Sequence, residues 1–176
     1  MKSTNDIVRY EASVRLLAEK KIGDILWNEG DEHAKIVFFN LFSIAERTVR
    51  IFAENFCSDV PNSEEYITSL RAFLEKNGKV DLLLEREPST MNLPVFDTLR
   101  EYIKQVNIKT TTLRPRLGDV EINFCAVDDF AYRIETDKEK RKAHVSFNDT
   151  RQTSELRRAF DLMIENEKSA TLNIQL

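Results

Sequence analysis

The sequence predicts an α/β fold in which a mixed β-sheet is covered by helices on both faces. Two observations predict it. Between residues 31 and 113, segments with helical periodicity alternate with short β-branched runs, giving the order βαβαβ after a first buried helix. That alternation is typical of parallel strands joined by crossover helices. Between residues 120 and 148 the apolar period falls to two, which indicates consecutive antiparallel strands before a closing helix.

The composition is that of one globular domain. The chain has 176 residues, 41% of them hydrophobic and 11 of them Phe, but only four Gly and four Pro. A chain of this size can bury its own core without disulfides. We expect residues 1–29 to form an N-terminal helical extension and residues 30–176 to form the main domain. The N-terminal residues lack the apolar core of a signal peptide, and there is no long apolar run, so the sequence predicts a soluble, cytoplasmic protein without membrane contact.

The first half of the chain supplies the parallel part of the sheet. Ile7, Tyr10 and Val14 share one face of a first helix. A second helix is apolar most of the way round and is therefore expected to be buried. Asn62 is predicted to cap the third helix, which Asn77 and Gly78 end. In chain order, the helices of this half are predicted at about 6–21, 31–47, 62–77 and 96–106, and its strands at 48–53, 80–85 and 108–113.

The second half supplies the antiparallel part. Strands are predicted at 120–127, 130–136 and 143–148, with a charged turn at 137–141 and a last helix at 153–166. Alternation separates the two faces of a strand. The polar-face residues of the first and last of these strands therefore form a candidate site if the strands are near neighbours: Asn123, Cys125, His144, Ser146 and Asn148. An ordinary outer face, covered by a helix or by water, is the alternative interpretation.

The layout from about residue 30 to residue 166 resembles one domain of the phospholipase D-like superfamily. Domains of that family carry an HxKxxxxD motif on a late strand, then a hairpin, a GSxN segment and a closing helix. Residues 120–129, VEINFCAVDD, resemble the strand with the motif, and residues 145–148, VSFN, resemble the GSxN segment. The resemblance implies that residues 30–176 are a phospholipase D-like domain.

The departures from the motif imply that the domain is catalytically inactive. Asn123 stands where the family has its nucleophilic His, Cys125 where it has its phosphate-binding Lys, and Phe130 at the Asp position, while Ser146 and Asn148 match. The family's chemistry needs an imidazole that attacks phosphorus and a cation that holds the phosphate oxygens. An amide and a thiol supply neither.

A second stretch, residues 33–40, reads HxKxxxxN but lies at the start of the buried helix. Positions i and i+2 of a helix point in different directions, so His33 and Lys35 cannot share a substrate. We expect His33 to be solvated near the helix N-terminus. The two Cys and two His are not spaced as a zinc site, and no metal or other cofactor is predicted.

Three hypotheses remain open. The first is an inactive phospholipase D-like module for binding or regulation, whose partner is an unidentified protein or nucleic acid; the family resemblance also implies a homodimer. The second is a rewired phosphodiesterase or nuclease in which His144 acts with Ser146 and Asn148, assisted by Glu121 or Arg133. The third is a structural or assembly protein of another α/β type.

Overall fold

A computed structural model describes residues 4–174. The helices begin and end as follows: α1 Thr4–Glu19, α2 Asp31–Ile44, α3 Glu64–Glu75, α4 Pro94–Glu101 and α5 Thr150–Ile164, with a short 3-10 helix at Ile103–Gln105. The strands are β1 Leu26–Asn28, β2 Thr48–Ala53, β3 Lys79–Leu84, β4 Val106–Thr111, β5 Arg116–Leu117, β6 Val120–Glu121, β7 Asn123–Val127, β8 Ala131–Asp137, β9 Lys142–Ser146 and β10 Ser169–Thr171.

Eight of the strands form one mixed sheet in the order β1-β9-β8-β7-β2-β3-β4-β10. The three strands β2, β3 and β4 are parallel, and the remaining neighbours are antiparallel. The predicted mixed sheet is therefore confirmed. The two edge strands, β1 and β10, were not predicted because three residues are too few to show alternation.

Both faces of this sheet are covered, as predicted. One core joins the sheet to α1, α2, α3 and α4. The other joins it to α5 through Leu156, Phe160, Met163 and Ile164. Strand β7 contributes to both, since Cys125 and Val127 belong to the first core and Phe124 and Ala126 to the second. Its residues are consequently buried on both sides.

Two local predictions are wrong. The single strand expected at 120–127 is interrupted at Ile122, whose backbone N–H donates to the carbonyl of Pro115. Residues before that point pair in a separate two-stranded hairpin, β5–β6. The cap of α3 is Ser63, whose hydroxyl accepts from the N–H of Tyr66, and not Asn62, whose side-chain oxygen accepts from the N–H of Val95.

The first 29 residues take part in the same packing. Helix α1 contributes Val14 and Ala18 to the first core, and β1 pairs with β9. The division at residue 29/30 stays a prediction. Residues 1–3 of the first segment and 175–176 of the second lie outside the described residues.

Candidate functional site

The five candidate residues do not come together on one face. Strand β8 lies between β7 and β9. Asn123 is opposite Glu135, which is opposite Ala143, whereas His144 is opposite Ile134, which is opposite Phe124. Residues directly opposite in a sheet share a face, so Asn123 and Cys125 face α2 and α3, while His144 and Ser146 face the α5 side. The hypothesis that these residues converge on one patch is therefore wrong, because each of the two strand patterns left open which of its faces pointed to which layer.

His144 and Ser146 make contacts of their own on that second face. The His144 ring lies between Trp27 and Tyr132, with centroid separations of 5.0 and 5.7 Å. Partial burial, with a smaller contribution from the Arg133 charge, lowers its pKa. Ser146 is fully buried, and its hydroxyl donates to the Gly23 carbonyl at 3.1 Å. Asn148 follows the end of β9, and its backbone N–H donates to the Ser146 hydroxyl at 3.4 Å.

Asp128 ties the turn after β7 to the start of β2. Its carboxylate is buried and accepts the backbone N–H groups of Glu46, Arg47 and Thr48 at 2.7 to 2.9 Å. An Asp in this turn is what the HxKxxxxD spacing requires, and counting back from Asp128 places the His position at Glu121 and the Lys position at Asn123. This alignment of the chain with the motif, or motif register, begins two residues earlier than the one inferred from the strand pattern alone. In either register, neither position holds His or Lys.

A buried polar network occupies the face of the sheet below α2. The Nδ2 of Asn123 donates to Oε2 of Glu135 at 2.9 Å, and Nη2 of Arg133 donates to Oε1 of the same carboxylate at 3.1 Å. Arg141 lies 3.8 Å from Glu135 and donates to Asp31, in the first turn of α2, at 3.1 Å. The network therefore holds the side chain of Asn123 in place.

A cavity of about 80 Å³ adjoins this network. Its polar lining includes Tyr66, Asn123, Arg133, Glu135 and Arg141, and its apolar lining includes Phe38 and Phe56. The guanidinium of Arg133 lies 5.2 Å from the centre of the Phe38 ring. Phe56 has a backbone φ of 64°, which is uncommon for a residue with a bulky side chain.

Three buried polar atoms around the cavity lack a hydrogen-bond partner within residues 4–174. They are Oδ1 of Asn123, Nε of Arg133 and the hydroxyl oxygen of Tyr66.

Burial of the phenol, with a smaller contribution from Cys125, raises the pKa of Tyr66 well above its usual value. Burial likewise raises the pKa of the Cys125 thiol to about 12, which keeps it protonated near neutral pH. A thiol that stays protonated in this way is a poor nucleophile.

Sequence reasoning missed Tyr66 and Glu135 as site residues, and it considered Arg133 only as an assistant to His144, whose side chain lies on the other face of the sheet. Arg133 and Glu135 alternate with apolar residues along β8, which is the pattern of a solvent-exposed face. Here both faces of the strand are covered, so the same pattern produces a buried ion pair. The available signal was that the charges are opposite and two residues apart, which allows them to pair on one face.

His33 is also placed differently from the expectation. It lies in the first turn of α2 but is buried, and its ring stacks on Tyr10 with centroids 3.8 Å apart. Lys35 instead forms an ion pair with Glu32 at 2.7 Å.

Across the described part of the chain, no group of three or more His, Cys, Asp or Glu is placed to hold a metal ion. No helix within residues 4–174 is long and apolar enough to cross a bilayer.

No protein-family model and no curated protein sequence matches the chain. Solved structures do. Nuc of Salmonella typhimurium, a phospholipase D family member, matches with a TM-score of 0.60 at 10% identity, over 85% of this chain and 98% of its own. NucT of Helicobacter pylori matches with a TM-score of 0.56 at 11% identity, over 85% of this chain and 100% of its own.

A third match extends further along the chain. The archaeal chromatin protein TrmBL2, described as having a novel mode of DNA binding, matches with a TM-score of 0.60 at 11% identity. The match covers 96% of this chain, and this chain spans 62% of the length of TrmBL2. At these identities the likeness shows the fold: the chain has the phospholipase D-like fold.

Proposed function

We propose that this chain is a catalytically inactive phospholipase D-like domain that acts as a binding or regulatory module. One observation carries the proposal. In both registers that Asp128 and the strand pattern allow, the motif positions hold Glu121 and Asn123 or Asn123 and Cys125. None of these three side chains is an imidazole, and none is a cation that can hold the phosphate oxygens.

The arrangement around Asn123 supports the same proposal. Its amide is held by Glu135, and that carboxylate is held by Arg133. The positive charge of Arg133 is thus compensated and does not replace the missing lysine. The family chemistry requires charge stabilisation aimed at the phosphoryl oxygens, and this network gives its cation to an internal carboxylate instead.

The partner in this proposal is a protein or a nucleic acid. Likeness to the archaeal chromatin protein TrmBL2, whose structure is described as showing a novel mode of DNA binding, is compatible with nucleic acid as the partner. The net charge of −4 and the absence of a basic stripe in the sequence argue against a broad electrostatic duplex-binding face. A local contact or a protein partner fits these charges better.

Assembly as a homodimer is part of the proposal. The β5–β6 hairpin leads directly into Asn123 and exposes two apolar side chains, Leu117 at 43% and Val120 at 44%. A two-fold contact through this hairpin would bring two sites close together.

Light scattering should give twice the 20.5 kDa chain mass. The pair of substitutions Leu117→Asp and Val120→Asp should halve that mass, whereas Leu162→Asp on α5 should not. A 20.5 kDa species alone at micromolar concentration would contradict the dimer.

Turnover assays test the inactivity. Purified protein in EDTA is incubated with a bis-aryl phosphodiester and, separately, with single-stranded DNA, and multiple turnovers are not expected. Turnover that disappears in His144→Ala would refute the proposal and establish the rewired enzyme. Turnover that survives this substitution and co-purifies with the protein through successive columns would indicate another active site and would also refute it.

A further inference from the structure

We infer that the cavity beside Asn123 binds an uncharged carboxamide-type group, in which a C=O acceptor lies beside an N–H donor. This inference rests on the proposed function, since it assumes a binding site and not a catalytic one. It goes further by naming the chemistry of the ligand. The charges of the chain favour a protein partner, so we assign the group to a side-chain amide. The lactam edge of a pyrimidine base presents the same pair of atoms and is the alternative outcome of the test.

The charges around the cavity select against an ionic ligand. Four charged side chains line it, and each is paired with an opposite charge. The pairs are Arg133 with Glu135, Arg141 with Asp31, and Glu54 with Arg86. A bound anion or cation would therefore lose its hydration without gaining a free counter-charge, or would have to break one of these pairs. A neutral ligand avoids both costs.

The unpartnered atoms specify what the neutral ligand must offer. Nε of Arg133 is a donor, Oδ1 of Asn123 is an acceptor, and the Tyr66 hydroxyl is free to donate. A carbonyl oxygen can accept from Arg133 and Tyr66 with its two lone pairs, while the neighbouring N–H donates to Asn123. All three residues line the same cavity and are at least nine-tenths buried. Buried polar atoms without partners are costly, so a ligand that pairs them is favoured.

The size of the cavity limits what enters it. Its volume of about 80 Å³ is enough for a few water molecules and is well below the roughly 300 Å³ or more of a site that encloses a whole drug-sized ligand. One planar polar group fits, and the rest of the ligand must lie outside. The lining residues Phe38, Asn55 and Ser58 are partly exposed, so the cavity opens beside them. The ring of Phe38 offers an apolar surface for the emerging part of the ligand.

Three probes of equal shape test the charge argument: benzamide, benzoate and benzamidinium. Each is titrated into the full-length protein while backbone amide resonances are followed by NMR. Benzamide should cause saturable shifts at Tyr66, Asn123 and Arg133, and the two charged probes should bind at least about tenfold more weakly, since they leave a buried charge unpaired. Benzoate or benzamidinium binding at this cavity as tightly as benzamide would overturn the inference.

The hydrogen-bond argument is tested by Tyr66→Phe, which removes only the hydroxyl. It should weaken benzamide binding about fivefold to tenfold, the effect of one lost hydrogen bond. Tyr102→Phe is the matched control, because that hydroxyl contacts Glu75 and not the cavity. Benzamide affinity that is unchanged in Tyr66→Phe would contradict the assigned contacts.

Uracil, titrated in parallel, distinguishes the two sources of the group. Binding of benzamide without binding of uracil supports the amide side chain. Binding of uracil at the same residues would overturn that assignment in favour of a base edge, and binding of neither would refute the inference. The turnover assay is independent of these titrations. Absence of benzamide binding would leave the proposed inactivity standing, and detection of turnover would refute the inactivity whatever benzamide does.

Discussion

Nη2 of Arg133 donates a hydrogen bond to Oε1 of Glu135 at 3.1 Å, and both side chains are only 4% exposed. A buried ion pair of this kind need not stabilise the fold relative to an apolar pair. Removing one partner, however, leaves an uncompensated buried charge. In this chain the pair also fixes Asn123, whose amide donates to the other oxygen of Glu135.

Glu135→Gln should therefore lower the free energy of unfolding by about 3 kcal/mol or more, the cost of leaving Arg133 unpaired in the core. The measurement is urea denaturation at neutral pH. Glu155→Gln is the control, since Glu155 is exposed and pairs with Arg151 at 3.5 Å on the surface of α5. It should change stability by less than about 0.5 kcal/mol. Equal effects of the two substitutions would show that the Arg133–Glu135 pair is not buried.

Asp128→Asn should also destabilise the protein. The carboxylate accepts three backbone N–H groups from residues 46–48. An amide has one oxygen, so its NH2 group would face one of those donors, and hydrogen bonds to a charged acceptor contribute about 1.5–3 kcal/mol each. We expect a loss of about 2–4 kcal/mol on this basis. The neighbouring Asp129→Asn, at an exposed residue that contacts Arg47, should cost less than about 1 kcal/mol. If Asp128→Asn leaves the free energy of unfolding unchanged, the structural argument for aligning Asp128 with the Asp of the motif is contradicted.

Stability should fall at alkaline pH. Burial raises the pKa of the Cys125 thiol from 9.0 to about 12. The folded protein therefore keeps a proton that the unfolded chain loses above about pH 9, and the unfolding free energy falls as pH rises from there toward 12. Each such group contributes a slope of at most about 1.4 kcal/mol per pH unit. The raised pKa of Tyr66 acts in the same direction, starting near pH 10.

Urea denaturation at pH 7, 9 and 10.5 measures this dependence, and the variant Cys125→Ala isolates the thiol. The variant should be less stable than the parent at pH 7, because it leaves a small cavity, but should lose less stability between pH 9 and 10.5. Parallel curves for parent and variant would mean that Cys125 does not titrate differently in the folded and unfolded states.

The two thiols should differ in reactivity. Cys57 is partly exposed, whereas Cys125 is 1% exposed. A chromogenic disulfide reagent at pH 8 should therefore modify one thiol per native chain, and Cys57→Ala should abolish that fast reaction. The second thiol should react only after denaturation. Fast modification of two thiols in the native protein would show that the first core opens readily around β7.

The sequence predicted the sheet more successfully than the site. Strand 48–53 was placed correctly because a β-branched run between two helical patterns has few alternative structures. A correct prediction of the site requires two further facts: which strand lies between β7 and β9, and to which face of the sheet each side chain points. A shift of one residue exchanges the faces, and the alternation of His144 with Val145 does not say which one meets α2. The edge strand β1 was not predicted because its three residues are too few to show alternation, and its partner, β9, is more than a hundred residues away in the sequence.

Intact-mass spectrometry after incubation with a phosphodiester tests most directly whether the domain lacks the chemistry that the phospholipase D-like resemblance implies. That chemistry passes through a covalent phosphohistidine, and this chain has only two histidines, His33 and His144. The reaction is quenched in alkali, because the nitrogen–phosphorus bond breaks in acid. The account predicts only the unmodified 20.5 kDa chain at every time point. A phosphoryl adduct that maps to His144 and is absent from His144→Ala would contradict it.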